Sequence, residues 1–112
     1  MTDLPPVLLA WLLEVLQHVP DLLGVGLRWA DPWTGSDGLT WGRTITLRPG
    51  YQARLQALDP AAIELLAHEL IHVEQYAPWG RWWLVGYLLH HRAWEAAARQ
   101  RARELRAMWE RR

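Results

Sequence analysis

Two histidines and a glutamate in the segment AHELIHVEQ, residues 67–75, have the types and the spacing that metal-dependent hydrolysis requires. His68 and His72 stand four residues apart, so on a helix they lie one turn above each other and can aim their ring nitrogens at one point. Zinc binds such nitrogens at about 2.0–2.1 Å in tetrahedral geometry. Glu69 lies about 100° round the helix from His68, where its carboxylate can reach a metal-bound water and act as general base.

The residues around this motif have the signals of an amphipathic helix. Asp59 is a helix N-cap followed by a proline, and Pro78 and Gly80 end the helix after about Tyr76. Apolar residues at steps of three and four form one core stripe, which consists of Ile63, Leu66, Leu70, Val73 and Ala77. A second stripe beside it consists of Leu65, His68, Glu69, His72 and Tyr76. The alternative interpretation is a packing helix with two polar residues at its buried edge and no metal.

A catalytic zinc site needs a third protein ligand in addition to a water. The chain contains no Cys, and a third His at the end of an extended motif is absent, because residue 75 is Gln and residue 78 is Pro. The remaining candidates are His18, His90, His91 and several acidic residues. A glutamate from a later helix is the natural choice.

Glu95 is the acidic residue that the pattern of the final helix favours. It lies on a stripe that should pack inward, formed by His91, Glu95, Ala98, Ala102, Leu105 and Trp109. A carboxylate on an inward stripe needs a partner, because an unpaired buried charge is costly, and zinc would be such a partner. The alternative is an ion pair between Glu95 and Arg99 on an exposed edge.

Four further side chains are candidates for hydrogen bonding a substrate oxyanion, which amide hydrolysis usually requires. His90 and His91 lie just before Glu95 in the sequence, and Tyr76 and Tyr87 could do the same.

The rest of the chain predicts one mainly helical α+β domain over residues 1–112, with a small sheet beside the motif helix. Helices are expected at residues 4–19, 80–90 and 91–109, a short strand at 22–29, and a loop at 30–38. The alternating residues Thr44, Ile45, Thr46 and Leu47 predict a second strand, which Pro49 and Gly50 end. We divide the domain into an N-terminal helix and loop (1–40), a core (41–98) and a basic helix end (99–112).

Composition and charge exclude some classes of protein. Formal net charge is zero, which argues against a general nucleic-acid binder. The charge is uneven, since residues 92–112 carry +4 and the first 91 residues carry −4. No signal peptide and no stretch of roughly 20 apolar residues is present, so a cytoplasmic protein is the expectation. Shallow membrane contact by the segment WWLVGYLL, residues 82–89, stays open.

The sequence from residue 41 to residue 98 resembles a zincin metallopeptidase, and more narrowly a very small gluzincin. It is similar to compact bacterial metallopeptidase-like domains that read strand, HELxHVxQ, and a Glu-Ala element on a following helix. The resemblance implies that His68, His72 and Glu95 bind Zn²⁺ and that Glu69 activates water. It also implies that Thr44–Leu47 is an edge strand that pairs with an extended peptide substrate. A terminal segment covers the cleft in some small metallopeptidases, and residues 2–37 would be the segment with that role here.

Two departures from that family affect the site. Only one glutamate, Glu95, stands in the third-ligand element, with Ala97 where a second often occurs. No acid occupies the position where an aspartate often braces a motif histidine, so the bracing partner is unassigned.

The resulting hypothesis is a zinc-dependent peptidase that acts on a peptide or protein substrate and does not bind nucleic acid. The first alternative is a zincin-like metal-binding domain without proteolytic activity. The second is a helical module that binds a protein or a membrane surface. The sequence carries no signal for a particular oligomeric state.

Overall fold

The computed structural model describes Met1 and residues 3–112 and has a mainly helical α+β fold with one small sheet. The elements in chain order are α1 (Pro6–Val15), β1 (Gly26–Trp29), β2 (Gly38–Trp41), β3 (Thr44–Leu47), α2 (Gly50–Gln56), α3 (Pro60–Tyr76) and α4 (Trp83–Glu110). Two short 3₁₀ turns, Leu22–Gly24 and Ala77–Trp82, precede β1 and α4. The predicted fold class is therefore confirmed. No helix in the described residues has the length and apolar character needed to cross a bilayer.

The three strands form a mixed sheet in the order β1-β3-β2. β3 pairs in parallel with β1 and antiparallel with β2, with Thr40 opposite Ile45. The expectation that Thr44, Ile45, Thr46 and Leu47 form an edge strand is wrong, because both sides of β3 are paired. The edge strand beside α3 is β2, which the sequence patterns do not predict as a separate strand.

β2 is difficult to predict from the sequence because it is short, contains a glycine and is joined to β3 by a two-residue turn. Gly42 and Arg43 connect β2 to β3, and Gly42 has a φ of 63°, which glycine adopts without steric cost. The turn closes a hairpin between two strands of only four residues each. The strand preceding the turn contains a glycine, which weakens the alternating pattern on which strand prediction depends.

The motif helix α3 begins and ends where the sequence predicted. The Asp59 carboxylate accepts a hydrogen bond from the backbone N–H of Ala61 at 3.0 Å, which caps the helix start. Four of the five stripe residues are fully buried, namely Ile63, Leu66, Leu70 and Val73. Ala77 is exposed, since it lies in the 3₁₀ turn after α3. The buried face packs in one core with Leu8 and Leu12 of α1 and with Ile45 and Leu47 of β3.

The last quarter of the chain forms one helix of 28 residues, α4, and not the two helices expected at 80–90 and 91–109. The backbone break lies earlier, at Gly80, which has a φ of 54°. Gly86 is buried within α4, where an added Cβ would lie 2.6 Å from the Trp79 ring and 2.8 Å from the Trp94 ring. The glycine therefore allows the close approach of two indole rings and does not interrupt the helix.

Two ion pairs show how α4 lies along α3. Arg101 pairs with Glu74 near the end of α3 at 2.9 Å, and Arg106 pairs with Glu64 near its start at 3.3 Å. The two helices therefore run antiparallel. This packing brings the N-terminal half of α4 alongside the histidines of α3.

The N-terminal elements are shorter than the sequence predicted. The helix expected at 4–19 is α1, Pro6–Val15, and only one of its faces is buried, since Val7 and Leu13 are exposed. The strand expected at 22–29 begins at Gly26, after a 3₁₀ turn. The helix α2 follows Pro49 and was not predicted, because it is only seven residues long.

Candidate metal centre

The side chains of His68, His72 and Glu95 converge on one point. His68 Nε2 lies 3.2 Å from His72 Nε2 and 3.2 Å from Glu95 Oε2, and His72 Nε2 lies 2.9 Å from Glu95 Oε1. A tetrahedral ion with bonds of 2.0–2.1 Å separates its ligand atoms by about 3.3–3.4 Å. The three side chains therefore lie close enough together to hold one metal ion.

Packing of α4 against α3 supplies the third corner of the triangle. His68 and His72 lie one turn apart on α3, and Glu95 lies on α4. Ala98, Ala102, Leu105 and Trp109 of its stripe are buried, as predicted. Among the described residues, the carboxylate of Glu95 pairs with the two histidines and not with Arg99.

Gln75 fixes the orientation and the tautomer of His72. The Gln75 amide nitrogen donates to the carbonyl oxygen of Trp94 at 2.9 Å, so its Oε1 is left to accept from His72 Nδ1–H at 2.8 Å. A neutral His72 then presents the lone pair of Nε2 to Glu95 and to His68. A lone pair and a carboxylate oxygen attract each other only with a cation between them. This arrangement therefore requires either a proton or a metal ion at that point.

Gln75 is the bracing partner that the sequence interpretation left unassigned. Its position three residues after His72 places it on the same side of α3, and this spacing was available in the sequence. The missing information was the second contact, from Gln75 to the backbone of α4, which orients the amide.

The electrostatics of the cluster favour a positive charge within it. Hydrogen bonds from His68 and then His72 hold the pKa of Glu95 well below its ordinary value. Burial lowers the pKa of His72, but the hydrogen bond to Glu95 and the negative charges of Glu69 and Glu95 leave this pKa above its ordinary value. The raised pKa of His72 and the lowered pKa of Glu95 both favour a proton between the two side chains, and a metal ion bound there would displace it.

Glu69 lies next to this centre with its carboxylate buried and anchored. The Thr40 hydroxyl donates to Glu69 Oε2 at 2.6 Å, and both residues are almost fully buried. A Cβ at Gly38 would lie 3.3 Å from Glu69 Oε1, so the glycine leaves room for the carboxylate. Burial raises the pKa of Glu69 above its ordinary value. The edge strand β2 therefore sets the position of Glu69, a role that the sequence interpretation missed.

A cleft of about 840 Å³ opens above the centre. Its floor contains His68, Glu69, His72 and Glu95. One wall is the whole of β2, and the other is the start of α4, with Leu84, Tyr87 and Leu88. Trp41 of β2 contacts Trp83 of α4 with ring centroids 4.9 Å apart, which joins the two walls at one end. The cleft is large enough for a short extended segment of chain.

The structure separates the four candidates for oxyanion binding. Tyr76 and Tyr87 line the cleft, whereas His90 and His91 do not and are exposed on the outside of α4. Burial raises the pKa of both Tyr76 and Tyr87, so each phenol stays protonated and able to donate. Tyr76 is buried and stacked on Trp83, while Tyr87 is half-buried and therefore the more accessible donor.

Only part of the N-terminal segment 2–37 reaches the cleft. Trp33, Thr34, Ser36 and Asp37 contribute to its rim, while α1 packs into the core. Thr2 lies outside the described residues. His18 is exposed and distant in sequence from any residue of the centre.

Comparison of the chain with models of protein families, with curated proteins and with solved structures finds no match. The functional argument therefore depends on the geometry of the centre and the cleft.

Proposed function

We propose that this protein is a small zinc metallopeptidase of the gluzincin type, which hydrolyses peptide bonds in extended segments of chain. The observation that supports it most directly is the triangle of His68, His72 and Glu95 with the anchored carboxylate of Glu69 beside it. A structural ion pair would require the histidines and Glu95. It would not require a second buried carboxylate on the same cleft floor.

In this proposal, His68, His72 and Glu95 hold the ion and leave one position open toward the cleft. Zinc bound there would lower the pKa of a coordinated water and polarise a carbonyl oxygen. Glu69 accepts the proton of the attacking water and then donates it to the leaving amine. Its raised pKa, a result of burial, makes Glu69 a stronger base than an exposed glutamate.

The substrate would pair with β2. Within the described part of the chain, the outer edge of β2 carries no strand partner, and β2 forms a wall of the cleft. Such an edge offers backbone donors and acceptors to an extended peptide. We therefore assign the pairing with an extended substrate to Gly38–Trp41 and not to Thr44–Leu47. Tyr87, on the opposite wall, is the proposed donor to the oxyanion.

The test measures metal content and peptide cleavage in the same preparations of wild type, Glu69→Gln, His72→Ala and Glu95→Ala. We expect about one zinc per chain in wild type and Glu69→Gln, and loss of zinc in the other two variants. Cleavage of a peptide library should fall by at least about 100-fold in Glu69→Gln, because the general base is absent.

Two outcomes would reject the proposal in different ways. A folded wild type that takes up no metal from zinc-supplemented buffer would leave α3 as a packing helix. Stoichiometric zinc without cleavage of any library peptide would favour a metal-binding domain without proteolytic activity.

A further inference from the structure

Trp82 and the first two turns of α4 carry an exposed apolar face that does not pack into the core. Trp82, Leu84, Val85, Leu88 and Leu89 are 59 %, 38 %, 43 %, 68 % and 67 % exposed, respectively, and we call them the Trp–Leu face. At about 100° per residue, the four aliphatic members span roughly 140° of the helix surface. The opposite side packs inward through Gly86 and Trp94. An exposed apolar face of several hundred Å² usually marks an interaction site.

A substrate in the cleft would cover only part of this face. Leu84 and Leu88 line the cleft, but Trp82, Val85 and Leu89 lie outside it. Trp82, Val85 and Leu89 therefore form a part of the face that lies outside the cleft. Its occupant must approach from outside the cleft.

The charged residues beside the face in the sequence are arginines, whereas the cleft that Leu84 and Leu88 also line contains Glu69 and Glu95. From residue 75 to residue 94 the chain contains no Asp or Glu, and its two charged residues are Arg81 and Arg92. Both arginines are exposed, and neither has a carboxylate within ion-pair distance among the residues that the structure describes. Arg92 follows Leu88 and Leu89 by one turn on the same side of α4, and Arg81 lies over the Trp82 ring at 5.3 Å.

We propose that the Trp–Leu face docks this protein on the surface of an anionic lipid bilayer. Leucine and valine side chains would enter the boundary between headgroups and acyl chains, and Trp82 would lie at headgroup level. Arg81 and Arg92 would bind lipid phosphates. The face has the apolar centre, the flanking tryptophan and the arginines of an interfacial helix.

A second copy of the chain fits this face less well than lipid does. Two copies packed through the face would bring their Arg81 and Arg92 side chains close together, and no acidic residue of the face would pair with them. Like charges brought together on an apolar interface oppose association. Anionic lipid supplies the missing negative charge.

Docking through this face would also determine the position of the cleft mouth relative to the membrane surface. Because Leu84 and Leu88 belong both to the face and to the cleft wall, the cleft mouth would lie beside the headgroups. If the proposed peptidase function holds, the substrate is a peptide segment close to a membrane surface. The docking itself does not depend on the metal.

The experiment is vesicle co-sedimentation of the full chain, using phosphatidylcholine vesicles with and without phosphatidylglycerol. We compare wild type with Val85→Gln/Leu89→Gln, which changes two exposed residues outside the cleft, and with Arg81→Gln/Arg92→Gln. The matched control is Val7→Gln/Leu13→Gln, which changes two exposed apolar residues on α1. Circular dichroism melting verifies that each variant folds.

We expect wild type to bind the anionic vesicles and Val85→Gln/Leu89→Gln to bind at least about tenfold more weakly, since apolar contacts are lost. Arg81→Gln/Arg92→Gln should lose about fivefold per arginine on anionic vesicles and little on neutral ones. The control variant and EDTA-treated wild type should bind like wild type. Vesicle binding that persists in EDTA would show that docking does not require a bound metal ion.

Three results would overturn the docking proposal. One is a wild type that binds neither kind of vesicle. Another is a Val85→Gln/Leu89→Gln variant that binds as tightly as wild type. The third is a wild-type dimer, seen by analytical ultracentrifugation without vesicle binding, that the same variant dissociates; the face would then be covered by a second copy.

Discussion

The His72 ring donates from Nδ1 to the side-chain oxygen of Gln75 at 2.8 Å, and this bond connects the candidate metal centre to the backbone of α4. Because Gln75 in turn donates to the Trp94 carbonyl, the orientation of one ligand on α3 depends on the packing of the helix that carries the other ligand, Glu95. The His72–Gln75 pair therefore couples the assembly of the centre to the α3–α4 interface. Such bracing contacts commonly change metal affinity by about 10–100-fold.

The first prediction concerns Gln75. We expect Gln75→Ala to weaken zinc binding by about 10–100-fold while the protein still folds, because the His72 ring loses its orienting acceptor. Competition with a chromophoric chelator measures the affinity. Gln100→Ala is the control, since Gln100 is an exposed residue of α4 whose side chain donates to Glu104. An unchanged affinity in Gln75→Ala would show that His72 is held by packing alone.

The second prediction concerns Thr40 as a positioning residue for Glu69. Thr40→Val keeps the shape but removes the hydroxyl that donates to Glu69 at 2.6 Å. We expect kcat for peptide cleavage to fall by about tenfold or more, with zinc content and KM little changed, because the buried carboxylate loses its anchor. Thr40→Ser should restore most of kcat. A purely structural role would instead lower the melting temperature and leave kcat per folded molecule intact.

The third prediction concerns pH in the metal-free protein. The pKa of His72 lies above its ordinary value of 6.5, so the charged ring stabilises the fold below that pH and loses this contribution as pH rises through the raised pKa. The pKa of Glu95 lies below its ordinary value of 4.5, so its contribution is present above that pH and is lost on acidification. EDTA-treated protein should therefore be most stable between the two ordinary pKa values, from about pH 4.5 to about pH 6.5.

Zinc should offset the loss of stability that the metal-free protein shows as pH rises through the pKa of His72, since the metal binds the deprotonated ring. The difference in melting temperature between zinc-loaded and EDTA-treated protein should grow as pH rises from about 5 to about 8. Differential scanning fluorimetry across that range is the measurement. In His72→Ala we expect zinc to add little stability at any pH. A constant difference in the wild type would mean that no proton is displaced from the cluster.

The fourth prediction concerns Gly86, which lies between Trp79 and Trp94. Gly86→Ala places a Cβ 2.6 Å from one ring and 2.8 Å from the other, so the indoles must move. We expect a loss of about 1–3 kcal/mol in the free energy of unfolding, despite the better helix propensity of alanine. Urea unfolding followed by circular dichroism measures it.

Gly50→Ala is the matched control for Gly86→Ala, because Gly50 begins α2 and a Cβ there meets nothing within 4 Å. We expect this variant to be as stable as wild type or slightly more stable. Equal stability of the two variants would show that the indole rings near Gly86 move without cost.

The sequence by itself determined the centre's local parts. The limits of α3, the shared side of His68 and His72, and the inward position of Glu95 all follow from caps and from steps of three and four residues. These are interactions between residues within a turn or two of one another, so a local pattern is sufficient to find them.

Only the tertiary structure decided which elements meet at the centre. Thr40 reaches Glu69 across 29 positions of the sequence, and Gln75 reaches Trp94 across 19. The edge position of β2 depends on the order of all three strands, and the exclusion of His90 and His91 from the cleft depends on the continuity of α4. No local period encodes such contacts, because they depend on how the separate elements fill one core.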